Sequence, residues 1–238
     1  MLWYKAWLET RTRFLISLIG ITTLAGIFIW RQDRDALPTS GMSYYYFVLS
    51  GGHRILAMLW SIAIMFVMMG GLVREKAVGA SSFTLALPVS RARLMWTRIA
   101  FGLAQSAILG LVPWTVMFLI ASTAGKPIAL SQAATYVTVM FGAGATFFSV
   151  AVFTASLLEG EYTAPLVAFG VLIAFAVALN DPPLRTYSPW FMLLGSNLID
   201  RKSSMLTGAI PWPIIGAFAL FAAVLLFTSV RLVSRREF

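Results

Sequence analysis

The stretch IPWPIIGAFALFAAVLLFTSVRLV, residues 210–233, decides the class of fold. Its single charge, Arg231, stands near the end, and everything before it is apolar, small or hydroxylated. A helix needs about 20 mostly apolar residues to cross the hydrocarbon core of a bilayer, and this segment supplies them. Working outward, five more segments qualify: residues 14–30, 55–73, 99–123, 133–158 and 164–179. None carries Asp, Glu, Lys or Arg in its interior. The fifth is short, with Pro165 suited to a first helical turn. Pro113 falls inside the third, where it removes a backbone hydrogen bond and is expected to kink the helix.

Composition points the same way. Of 238 residues, 59% are hydrophobic and 11% charged, with a mean hydropathy of +0.84; a soluble domain carries about 25% charged residues. The formal charge of +9 is not gathered in a domain or tail. Lys and Arg flank the apolar runs, where they set membrane topology, so nucleic acid is not an expected partner. With the first residue inside, the inner segments hold eleven Lys and Arg and the outer loops seven. That bias places both ends in the cytoplasm, the expected location being the inner (plasma) membrane. Trp3, Trp7 and Trp96 then lie at the inner interface, and Trp30, Trp190, Trp212, Tyr136 and Tyr187 at the outer. Trp60 and Trp114 fall deeper.

The chain therefore reads as one all-α, polytopic membrane domain over residues 1–238, with six transmembrane helices. Its start has a separate character. Trp3 and Trp7, four apart, meet on one helical face, while Lys5, Glu9, Arg11 and Arg13 lie largely elsewhere. Residues 1–13 are expected to form an interfacial amphipathic helix in the inner leaflet before the chain turns into the bilayer. Trp30 closes the first run without a small-residue cleavage site, so this run is read as a retained span.

Catalysis finds little to work with. There is no cysteine and one histidine, His53, so disulfides, thiolate chemistry and His-rich metal sites have no basis, and no catalytic or metal-binding residue is expected. No phosphate-cradling glycine loop precedes a Lys–hydroxyl pair; Gly125-Lys126 runs into Pro127. Glu159 and Glu161 read as a solvated turn. The spans offer Thr22, Thr23, Ser61, Gln105, Ser106 and Ser149, with no base to activate them. Ion-coupled transport usually uses ionisable groups at membrane depth, so energy for uphill transport is expected from another subunit. The methionines of the second span, Met58, Met65, Met68 and Met69, with Phe169 and Phe175 in the fifth, could line an apolar substrate pathway. Lipid contact or ordinary packing explains them as well. Gly142, Gly144 and Ala145 in the fourth span suit close helix contact.

The most informative loop is GGLVREKAVGASSFTLALPVSRARLMWTRIAFGLA, residues 70–104. Its part between the spans, 74–98, lies on the cytoplasmic side. Residues 81–87 are expected to form a short helix presenting Phe83, Leu85 and Leu87, ended by Pro88. Ser90 then suits the N-cap of the helix carrying Arg91, Arg93 and Arg98 into the third span. Apolar side chains in such a loop need a partner or a membrane surface. The ordered run Gly70, Arg74-Glu75, Gly79, Leu85, Pro88 and Ser90-Arg91 resembles the corresponding loop of ABC type-2 exporter permeases. The plan of an interfacial start, six spans and a long outer segment before the last span resembles that family too.

The resemblance implies a permease subunit that binds no cofactor itself and is not an enzyme. ATP and Mg would belong to a separate nucleotide-binding subunit. It implies a coupling element at Ser81, Phe83, Leu85, Leu87 and Pro88 docked on that ATPase, near Gly79, with Glu75, Ser90, Arg91 and Arg93 around it. The interfacial start, with Trp3, Trp7, Arg11 and Arg13, would lean on the ATPase as well. Short outer helices within 180–209 would gate the exit, and two permease copies, or this chain and a paralogue, would pair. A secondary transporter or channel without an ATPase, and a membrane-embedded scaffold or enzyme, are the alternatives. A cysteine placed at Ser81 is expected to react with an impermeant maleimide from the cytoplasmic side; labelling from outside would invert the topology.

Overall fold

The computed structural model of the chain describes residues 2–34, 51–68, 90–123, 128–158, 162–195, 198 and 210–235, with side chains of the first segment through residue 30. Seven α-helices occupy nearly all of them: α1 Leu2–Arg34, α2 His53–Met68, α3 Arg91–Thr123, α4 Leu130–Leu157, α5 Thr163–Ala178, the short α6 Pro189–Leu193 and α7 Trp212–Arg235. No strand occurs among the described residues. In lipid the backbone has no water to bond, so a helix, which satisfies its own N–H and C=O groups, is the natural spanning element.

Among the described residues, four helices are long and apolar enough to cross a membrane: the Leu2–Trp30 part of α1, then α3, α4 and α7. The sequence reading expects six. Helices α2 and α5 have 16 residues each. At ~1.5 Å per residue each rises roughly 24 Å, which is less than the ~30 Å core. Residues 69–73 of the expected second span lie outside the described residues.

The start of the chain also differs from expectation. Leu2 through Arg34 is a single helix, with no turn at residue 13 between an interfacial piece and a span. No proline or glycine interrupts residues 2–19. Of the polar side chains that suggested an exit from the bilayer, Glu9 meets Arg98 of α3 and Lys5 reaches back to Glu9. Helix α3 begins at Arg91, directly after the Ser90 cap expected from the sequence, and runs continuously through the buried Pro113.

Helix α4 is the centre of the bundle and packs on α2, α3, α5, α6 and α7, while α1 packs on α2 and α3. Without a hydrophobic drive between helices in lipid, small residues that admit a neighbour's bulk decide where they meet. Trp60 of α2 is 1% exposed and lies across Gly144 of α4 so closely that a Cβ there would collide with its six-membered ring. Its indole Nε1 donates to the Ser106 carbonyl of α3 at 2.8 Å, and Phe141 meets the ring edge-on. Gly142 receives Ile215 of α7 in the same manner, and Gly102 of α3 receives Met68. Helix α5 is peripheral: Ala164, Ala168 and Leu172, four apart, are its buried residues, while Leu166 and Val177 face outward. Ile16, Ile19 and Leu220 are likewise exposed, as a bilayer-facing exterior requires.

Gly144→Ala is expected to lower stability by about 1–3 kcal/mol, because the ring has no room to give. Gly170→Ala, with open space around it, is the control and should be neutral or stabilising. Thermal unfolding in detergent compares the two.

Candidate functional site

Phe28 of α1 lies against Gly52, the residue before α2, and Met117 of α3 does so too. Call this the far end of the bundle and the opposite one, where the chain starts, the near end. Helices α1 and α3 both run from near to far, side by side. The near end of this pair is where the sequence reading places contact with a partner.

There, Ser90 caps α3. Its Oγ accepts from the Arg93 backbone N–H at 3.3 Å, satisfying one of the N–H groups that a helix start leaves without an internal partner. One turn further, Arg98 Nη2 donates to Glu9 of α1 at 3.1 Å from Oε2 and 3.4 Å from Oε1. The two side chains are 18% and 23% exposed, and Lys5 adds a longer contact to Glu9 at 3.9 Å. Two turns past Arg98, Gln105 Nε2 donates to Thr10 Oγ1 at 2.8 Å, while Thr10 itself donates to the Ala6 carbonyl. Aromatic contact completes the joint: Phe101 of α3 lies edge-on to both Trp3 and Trp7, and Trp7 meets Phe14. Leu2, Lys5, Ala6, Glu9, Leu94, Thr97 and Arg98 line a shallow groove between the helices. Chemically this is a clamp rather than a reaction centre: one charged pair, one amide–hydroxyl bond and three rings bind two helices across 89 residues of sequence.

The expected site residues divide as follows. Glu75, Gly79, Ser81, Phe83, Leu85, Leu87 and Pro88 lie outside the described residues. Ser90, Arg91 and Arg93 stand on the first turn of α3, with Ser90 and Arg93 exposed. Trp3 and Arg11 are exposed on α1, and Trp7 and Arg13 are partly covered. Of the candidate pathway residues, Met65 is in the core, whereas Met58 and Phe175 are exposed. Phe169 is partly buried against the core, and Met69 lies outside the described residues. Three hydroxyls at membrane depth are occupied by their own helices, Ser61 donating to Met58, Ser106 to Gly102 and Ser149 to Thr146. Among the described residues no three His, Cys, Asp or Glu side chains group as a metal site.

Sequence reasoning missed the Glu9–Arg98 pair and the Thr10–Gln105 bond. Their only trace was that a charged residue stood at the margin of each span and a lone glutamine stood inside one. Neither a family model nor a curated protein matches the chain.

Glu9→Gln and Arg98→Met are each expected to destabilise the α1–α3 joint, with a coupling of about 1 kcal/mol in a double-mutant cycle. Chemical unfolding in mild detergent measures it; strictly additive effects would show the pair to be incidental.

Proposed function

We propose that this chain is the membrane-spanning permease subunit of an ABC exporter, moving a hydrophobic or amphiphilic substrate outward on energy supplied by a separate ATPase. The observation that carries the reading is the loop pattern from Gly70 to Arg91, which ends on the Ser90 cap and first residue of α3. In this reading the near end is cytoplasmic, α2 and α5 join the four long helices as spans, and the chain pairs with a second copy or a paralogue.

The mechanism follows from the clamp. The segment 81–88 docks on the ATPase through Phe83, Leu85 and Leu87, with Glu75, Arg91 and Arg93 as its polar rim. ATP and Mg bind in the partner, whose closure displaces that segment. Ser90 ties the end of the segment to α3, and Arg98 and Gln105 tie α3 to α1. Two spanning helices therefore receive the displacement together, and the far end opens. The absence of Asp, Glu, Lys and Arg from the span interiors supports an external energy source over ion coupling.

Replacing Phe83 and Leu85 with Asp is expected to abolish co-purification with the partner ATPase, while the permease keeps its helical circular dichroism. Undiminished association would remove the docking assignment. Vectorial transport by the purified chain in liposomes, with no ATPase present, would remove the reading altogether.

A further inference from the structure

The buried hydroxyls of Ser61, Ser106, Ser149 and Thr154 bond within their own helices, but the one histidine does not. His53 is the first residue of α2 and fully buried. Its Nε2 lies 2.9 Å from the carbonyl oxygen of Leu193, the last residue of α6. A carbonyl only accepts, so Nε2 carries the proton and donates. The ring also lies 4.6 Å from that of Tyr136 on α4 and 5.7 Å from that of Trp114 on α3. One imidazole thus touches three helices besides its own.

Helix α6 depends on this contact. The last carbonyls of a helix have no partner inside it. Here the Trp190 carbonyl accepts from Leu194 N–H, the Met192 carbonyl from Gly195 N–H, and the Leu193 carbonyl from His53. Gly195, at φ 63°, turns the chain away at that point. A Cβ on it would stand 3.2 Å from Tyr136 Cε1 and 3.7 Å from His53 Cδ2, so the turn is pressed onto the same rings. Trp190 lies 5.6 Å from Phe147 between ring centres, and Met192 and Leu193 are buried. The five-residue helix is a plug seated in the far end, and the His53 side chain fastens its last carbonyl.

We infer that His53 is the latch of this plug, a positioning residue that holds α6 closed on the bundle and lets it open when water enters. The closed state leaves a debt: His53 Nδ1 is buried without a hydrogen-bond partner among the described residues. Opening breaks the Nε2 bond, but water then satisfies Nε2, Nδ1 and the Leu193 carbonyl together. The latch therefore holds only while the rings of Tyr136 and Trp114 keep the site dry. The inference concerns this segment alone and stands whatever drives the permease.

The chain contains no cysteine, so a single reporter can be placed without background. Leu194→Cys, beside the latch and buried in the parent, is labelled with a water-soluble maleimide in the full-length chain reconstituted in nanodiscs. His53→Ala is expected to speed labelling about tenfold, the effect of orphaning a buried carbonyl. His53→Gln, whose amide can still donate, should stay near the parent rate. A second reporter, Ala143→Cys in the buried part of α4, should remain slow in all three backgrounds. Equal Leu194→Cys rates in parent and His53→Ala would overturn the latch. So would Gln behaving as Ala, and so would both reporters accelerating together, which would make His53 a packing residue of the whole bundle.

Discussion

Everything in this bundle rests on the seating of Trp60 against Gly144. The ring occupies the space where any other residue would carry a Cβ, and its one polar atom is matched by the Ser106 carbonyl. A single side chain thereby sets the spacing of α2, α3 and α4. In lipid such fits do the work that water exclusion does in a soluble core. The Gly142–Ile215 and Gly102–Met68 contacts extend the same device to α7 and to the near end of α2.

Polar interactions are distributed unevenly around that packed centre. The near end has a charged clamp between two parallel helices, and the far end has a single imidazole under a short helix. The centre has one interhelical bond, from Trp60 to the Ser106 carbonyl, and the hydroxyls of Ser61, Ser106 and Ser149 closed on their own helices. This is the arrangement expected where unpaired polar groups at membrane depth are costly. The clamp and the imidazole stand where water can reach them once the elements part, whereas the Trp60–Ser106 bond stays locked in the packed centre.

The sequence made the long helices legible because hydropathy alone identifies them. Helix α7 spans 212–235 against an expected 210–233, and α4 spans 130–157 against 133–158. The cap at Ser90 was legible because a hydroxyl following a proline break has few other uses. The continuity of α1 was not. Lys5, Glu9, Arg11 and Arg13 locally signal an exit from the bilayer, and the residue that answers Glu9 lies on another helix, far along the chain. The facing of the methionines was not legible either. Their spacing shows a helix, but which of them face inward depends on where Gly102 and Gly144 admit α2. His53 was visible as the only histidine, yet its partner is a backbone carbonyl, and backbone carbonyls leave no mark in a sequence.

The two grips on α3 sit seven residues apart, at Arg98 and Gln105, while their partners Glu9 and Thr10 are adjacent on α1. Two turns of α3 are therefore pinned to one point of α1. Axial sliding of one helix past the other would shear both bonds at once, whereas rocking the pair as a unit strains neither. The joint forbids a piston and permits a pivot.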